Sequence, residues 1–139
     1  MAFTGNTPCD SFKLAQWNGS INFATDTYYI ALYTNAATLG ATTAAYTSTG
    51  EVVASGYTAG GVPLTVNVQP VAASNTVYMS FANVTINAAF TARGALIYKH
   101  GGANTAVAVL DFGADKTSTS AFTIQFPAAG ATTAILRTT

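Results

Sequence analysis

Three short segments of the chain, residues 62–69, 77–82 and 122–126, alternate apolar residues with mostly polar or small ones. Successive side chains of a β-strand point to opposite faces of the sheet, so alternation with period two predicts strands that bury one face. The apolar positions of the first segment are Val62, Leu64, Val66 and Val68. A chain organised in this way is constrained to an antiparallel β architecture.

Further segments complete the predicted sheets. Residues 28–34 are apolar on both faces, which is typical of a strand covered on two sides. Residues 95–98 and 106–110 read as a hairpin with a Gly-rich connection, and residues 134–137 read as a last strand. No strand–helix–strand alternation is present to build a parallel sheet. The sequence therefore predicts an all-β fold, an antiparallel sandwich or barrel of about seven short strands.

The start of the chain is predicted to differ from the rest. Gly5 and Pro8 interrupt regular structure, so residues 1–9 are expected to form an irregular arm with no role in the core. Residues 10–139 then form a single β domain, which opens with one short N-terminal helix over about 11–18. A long surface loop is expected over residues 35–50.

The inward-facing positions of these strands give a predicted core. Large apolar side chains at such positions dominate burial. The predicted core residues are Ile30, Leu32, Val66, Met79, Phe81, Ile97, Val107, Val109, Phe122, Ile124 and Phe126.

Charge is scarce and balanced: 7% of the 139 residues are charged, with five basic against five acidic side chains. No basic patch exists to displace counterions from phosphate, which excludes an electrostatic nucleic-acid binder. A polybasic membrane anchor is excluded for the same reason. A weakly charged surface rich in Thr and Ala fits a protein in lasting contact with other protein. A secreted domain with a Thr-rich surface remains the alternative.

No catalytic constellation is visible. His100 is the sole histidine and lies in the predicted hairpin turn without an orienting carboxylate. Asp111 and Asp115, placed between two predicted strands, are too few for a calcium loop and fit turn chemistry better. Cys9 has no neighbouring histidine to activate it. We therefore expect no enzyme activity, no catalytic residue, no cofactor and no bound metal.

The cellular compartment follows from two further features. A single cysteine cannot form an internal disulfide, so a reducing compartment is permitted for folding. The N-terminus lacks a basic region followed by an apolar one, and no apolar run reaches the roughly 18 residues of a membrane span. We expect a chain that folds in the cytoplasm and does not bind membranes.

Aromatic residues supply the remaining candidates. Tyr and Trp are typical of protein interfaces, because they bring a large contact area with few rotatable bonds. Such side chains can also stack on sugars, and core packing is the simpler interpretation of Tyr29, Tyr33 and Tyr98. The candidate interface residues are Phe3, Pro8, Trp17, Tyr46 and Tyr57.

A series of segments carries a resemblance to a known group of proteins. It runs from Ser11-Phe12-Lys13-Leu14 through Asp26-Thr27-Tyr28-Tyr29-Ile30-Ala31-Leu32-Tyr33-Thr34, Glu51-Val52-Val53-Ala54-Ser55-Gly56-Tyr57 and Phe90-Thr91-Ala92-Arg93-Gly94-Ala95-Leu96-Ile97-Tyr98 to Ala106-Val107-Ala108-Val109-Leu110-Asp111-Phe112-Gly113. From residue 11 onward the chain resembles small β-rich virion proteins of tailed bacteriophages.

The resemblance implies a structural role in the virus particle and transfers no catalytic motif. A capsid decoration (cement) protein is the first expectation, with the major capsid protein and further copies of itself, as a homotrimer, for partners. A tail or fibre component, including a receptor- or glycan-binding module, is the alternative.

Overall fold

The computed structural model describes residue 3 and residues 5–138, and it shows a β-rich fold with one helix. Strands make up 44% of the chain and helix 7%, which confirms the predicted all-β class. The elements are β1 (Thr7–Pro8), α1 (Asp10–Asn18), β2 (Tyr28–Tyr33), β3 (Val62–Leu64), β4 (Val66–Ala73), β5 (Thr76–Phe81), β6 (Val84–Ile86), β7 (Phe90–Lys99), β8 (Ala106–Ser118), β9 (Phe122–Ile124) and β10 (Leu136–Thr138).

These strands form three antiparallel sheets. The largest has the order β1-β8-β7-β2-β3, the second has the order β10-β5-β4, and β6 pairs with β9. The predicted hairpin is confirmed as β7 and β8, which pair along most of their length. The five-stranded sheet contains the two longest strands and forms the frame on which the other elements pack.

The predicted strand over residues 62–69 is two strands in two different sheets. β3 pairs with β2 in the five-stranded sheet, whereas β4 pairs with β5 in the three-stranded sheet. The chain changes sheets at Thr65, whose carbonyl accepts a hydrogen bond from the Ala82 N–H. Alternation of side chains continues across such a crossing, so the pattern alone does not show it.

The main core lies on one face of the five-stranded sheet, under the two smaller sheets. Ile30, Leu32, Met79, Phe81, Ile97, Val107 and Ile124 are buried there as predicted. Val66, Phe122 and Phe126 are only partly buried at its margin. Val109 is buried, but on the opposite face of the sheet.

The opposite face of the sheet carries a second apolar cluster. It includes residues from the expected arm, 1–9, and from the expected surface loop, 35–50, neither of which was predicted to be buried. Ala37 and Leu39, from the expected surface loop, are buried against this face, and Phe3 and Cys9 are buried with them. The expectation of an arm without a core role is therefore wrong, and Thr7–Pro8 pairs with β8 as β1. A strand that is apolar on both faces, such as β2, requires cover on both sides.

The segment after Leu110 also differs from its predicted turn. Residues 111–117 belong to β8, which continues to Ser118 opposite the start of β7. The pairing register shifts between Ala92 and Gly94, and Gly113 on the bulged strand has φ 82°. Glycine tolerates this left-handed conformation, so the strand continues through the irregularity instead of ending there.

Candidate functional site

The five candidate interface residues separate into two groups. Phe3 and Tyr57 are buried and Tyr46 is partly buried, whereas Pro8 and Trp17 are exposed. Phe3 is only 1% exposed, so it cannot contact a partner without leaving the core of its own chain. Only Pro8 and Trp17 are placed to act as the sequence suggested.

Phe3 is held in place by a nearly buried ion pair. Arg93 Nη2 lies 3.1 Å from Asp111 Oδ1, and the guanidinium carbon lies 5.7 Å from the centre of the Phe3 ring. The Gly5 N–H donates to Asp111 Oδ2 at 2.9 Å, and the Asp111 N–H donates to Asn6 Oδ1 at 2.6 Å. Asp111 thus fastens the N-terminal segment to β8.

A second carboxylate, Glu51, organises the tyrosines. It is 8% exposed and accepts hydrogen bonds from the Tyr46 hydroxyl at 2.6 Å, the Tyr57 hydroxyl at 2.7 Å and the Gly60 N–H at 2.8 Å. The Tyr57 hydroxyl in turn accepts from the Leu32 N–H at 2.9 Å. Sequence reasoning missed this cluster, although a lone glutamate between two tyrosines was the available signal.

The tyrosine hydroxyls near Glu51, which a sugar-binding site would need as hydrogen-bonding groups, are already engaged within the chain. Both tyrosine hydroxyls donate to Glu51, and the Tyr98 hydroxyl donates to the Gly60 carbonyl at 2.6 Å. Burial raises the pKa of Tyr57, which further favours the protonated hydroxyl that donates to Glu51. Tyr46 and Tyr57 therefore stabilise the segment that covers the sheet.

The other candidate chemical groups have structural surroundings as well. His100 is exposed and stacks on Tyr29, with ring centres 4.1 Å apart. Cys9 is buried, which raises the pKa of its thiol to about 11 and disfavours the reactive thiolate. Among the described residues, no group of three or more His, Cys, Asp or Glu side chains is placed to hold a metal ion.

Helix α1 presents an exposed apolar face. Phe12 and Ala15 are buried, and the helix ends at Gly19, whose φ of 78° permits the left-handed cap. Trp17 is 90% exposed and Leu14 is 64% exposed, three residues apart on the side away from the core. Trp17 and Leu14 together form a small exposed apolar patch on the helix.

A groove of about 760 Å³ runs beside this helix. It brings together Pro8 and Trp17, the two exposed residues among the sequence-based candidates. The lining comes from β1, α1, β8 and the last described stretch of the chain, and comprises Asn6, Thr7, Pro8, Phe12, Lys13, Gln16, Trp17, Ala108, Val109, Leu110, Pro127 and Thr133 to Thr138. We call it the α1 groove.

The charge in the α1 groove is of one sign. Its charged lining residues are Lys13 and Arg137. Among the residues that the structure describes, no carboxylate lines the groove. Lys13 Nζ lies 3.3 Å from Asp10 Oδ1 in an exposed pair, whereas Arg137 is in no ion pair with a described residue. The groove is therefore mainly apolar, and its charged lining residues are cationic.

No protein-family model, curated protein or solved structure matches the chain. Within the part of the chain that the structure describes, no helix is long and apolar enough to cross a membrane.

Proposed function

We propose that this protein is a structural component of a tailed-bacteriophage virion, a capsid decoration protein that binds the major capsid protein. The observation that carries the proposal is the α1 groove with Trp17 exposed at its rim. Tryptophan is among the residues that contribute most to protein binding when they become buried in an interface.

Three further features support a binding role over catalysis or sugar recognition. The carboxylates of Glu51, which is buried, and Asp111, which is nearly buried, are occupied by partners within the chain. The tyrosine hydroxyls around Glu51 are likewise engaged. Net charge is zero and charged side chains are few, so copies of the chain lack the mutual repulsion that keeps free monomers apart. The resemblance to virion proteins supplies the capsid partner and the homotrimer.

The proposal is tested by locating the chain in purified particles. Heads and tails are separated by density centrifugation, and the chain is identified by mass; we expect it in the head fraction. Its absence from particles overturns the virion role, and recovery only in tails replaces capsid decoration with a tail or fibre component.

The role of the groove is tested on shells that lack the protein. Trp17→Ala is expected to weaken binding of the added protein, because the indole is the largest exposed apolar group at the site. Val53→Ala removes another exposed apolar side chain far along the chain from the groove lining and serves as the control. Equal binding by both variants contradicts attachment through this face.

A further inference from the structure

We propose that the α1 groove holds an extended, acidic segment of the partner polypeptide, which pairs with the open edge of β10 and places an apolar side chain against Trp17. This inference rests on the proposed function only in taking the partner to be a virion protein. Everything else in it depends on the lining of the groove, the unpaired edge of β10 and the charges of Lys13 and Arg137.

β10 is an edge strand. This strand ends the sheet of order β10-β5-β4, and its pairing runs to β5 alone. Leu136, Arg137 and Thr138 line the groove, whereas no residue of β5 does. The groove therefore borders the side of β10 away from β5, where no described strand pairs with it and an added strand can do so.

The other edge strands of the two larger sheets each contain a proline. β1 contains Pro8, β3 contains Pro63 and β4 contains Pro70. Proline has no N–H to offer and is a common protection of edge strands. In the described part of the two larger sheets, β10 is the edge strand without a proline.

The two cationic residues of the groove favour an acidic occupant. Arg137 lies on β10 and Lys13 lies on the facing helix, so a segment in the groove meets cations from both walls. Opposite charge in the occupant is complementary and like charge is repelled. Asp10 already partners Lys13, so Arg137 is expected to dominate the selection of an acidic segment.

The groove also offers an apolar surface to its occupant. Trp17 is at the rim of the groove, and Leu110, Ala134 and Ile135 also line it. Side chains of an added strand alternate between two faces, so acidic and apolar residues in turn can meet the cations and the indole. β10 is 3 residues long, which limits the paired stretch to about 10 Å at roughly 3.3 Å per residue.

The test uses a fluorescein-labelled peptide, Asp-Val-Glu-Ile-Asp-Val-Glu, with its Lys-for-acid counterpart as the comparison. Fluorescence anisotropy is expected to show the acidic peptide binding at least about tenfold more tightly, or about 1.4 kcal/mol. Methylation of alternate main-chain nitrogens in the acidic peptide is expected to abolish binding, because strand pairing needs those donors.

Variants assign the binding to the groove. Arg137→Glu is expected to weaken the acidic peptide by about tenfold and to strengthen the basic one. Lys116→Glu, the same charge change at an exposed position outside the groove, is the matched control and leaves both affinities within about twofold. Circular dichroism of each variant verifies that the fold is retained.

Several outcomes overturn the inference while leaving the proposed function intact. Equal binding of acidic and basic peptides removes the charge argument, and undiminished binding of the methylated peptide removes strand pairing. If Arg137→Glu and Lys116→Glu weaken peptide binding equally, the peptide binds outside the α1 groove. If sedimentation shows copies of the chain dissociating on Trp17→Ala, the occupant is a second copy. Failure of the proposed function is distinct, since it appears as absence of the chain from particles.

Discussion

At the scale of single residues, two of the five acidic side chains hold covering segments onto the large sheet. Glu51 receives three donors from residues 46–60, and Asp111 joins Arg93 to the N-terminal segment. Each carboxylate is nearly buried, where its hydrogen bonds and ion pair offset the cost of removing charge from water. Scarce charge in this chain therefore serves stability more than solubility.

Tyr57→Phe tests the Glu51 cluster. The substitution leaves the buried Leu32 N–H without its acceptor and removes one donor from Glu51, so we expect a loss of about 1–3 kcal/mol in the free energy of unfolding. Tyr29→Phe is the control, because no hydrogen bond of the Tyr29 hydroxyl occurs among the described residues. Urea titration measures both, and equal stabilities contradict the structural role of the cluster.

Two phenylalanines that the sequence treats alike are separated by the structure. Phe81 is 2% exposed and its ring lies among those of Phe23, Tyr28 and Phe126, so Phe81→Ala is expected to cost about 3–5 kcal/mol. Phe122 lies at the margin of the core, and Phe122→Ala is expected to cost about 1–3 kcal/mol. Chemical denaturation of the two variants decides, and a larger loss at Phe122 would contradict the described core.

At the scale of elements, the N-terminal segment is part of the fold. Residues 7–8 pair with β8, and Phe3 and Cys9 are buried in the second cluster. Removing residues 2–9 would therefore strip the sheet of an edge strand and part of its cover, and the remaining domain would lose stability along with any attachment. Period-two patterns do not reveal such a segment, because its contacts depend on isolated residues far apart in the chain.

Asp111→Asn tests the fastening of this segment. The amide retains an acceptor for the Gly5 N–H but leaves the Arg93 guanidinium nearly buried without a counter-charge. We expect a loss of about 3–5 kcal/mol, measured by urea titration. Asp115→Asn alters an exposed carboxylate of the same strand and should stay within about 0.5 kcal/mol. Similar effects of the two substitutions would show that the ion pair contributes little.

The strands were predictable from the sequence to the extent that their pattern is local. Alternation and apolar runs located β2, β5, β7, β8 and β9, and the spacing of Leu14 and Trp17 located α1. The crossing at Thr65 and the burial of residues 37 and 39 could not be predicted, since both depend on which sheet face lacks cover. Of the candidate site, Trp17 and Pro8 were identified from the sequence. Lys13 and Arg137 were not, because only tertiary packing brings them to the same groove.

Pro70 provides a test of how the sheet edges are protected. It lies in the exposed part of β4, the free edge of the three-stranded sheet. Pro70→Thr restores an N–H to this edge and adds a residue of high β-propensity, so we expect concentration-dependent association, measured by light scattering. Ala72→Thr, an exposed substitution in the same strand that introduces threonine without adding an N–H, is the control. Two variants that remain equally monodisperse would show that proline does not guard this edge.

At the scale of the whole molecule, charge is distributed very unevenly along the chain. No charged residue occurs between Glu51 and Arg93, a stretch that includes β3, β4, β5 and β6. The exposed residues of these strands are all uncharged, and uncharged side chains are less costly to cover with another protein than charged ones. They are Pro63, Asn67, Gln69, Pro70, Val71, Ala72, Ala73, Val77 and Thr85. This composition agrees with a protein that functions in an assembly, as the proposed capsid role requires.

The response of the whole molecule to alkaline pH is set by its buried tyrosines. Burial raises the pKa of Tyr28, Tyr33, Tyr46, Tyr57 and Tyr98 above the ordinary value of about 10, and that of Tyr98 reaches about 12. Above about pH 10 these groups ionise in the unfolded chain but remain protonated in the folded one. The unfolded state then binds fewer protons than the folded state, so the free energy of unfolding falls as pH rises.

We therefore expect stability that is fully present below about pH 9 and is lost through the range from about pH 10 upward. Urea titrations across this range measure the loss, and absorbance of tyrosinate is expected to rise together with unfolding instead of before it. Tyr98→Phe removes one of the ionising groups and should reduce the slope of stability against pH. Tyrosinate absorbance that develops fully while the chain stays folded would contradict the burial of these side chains.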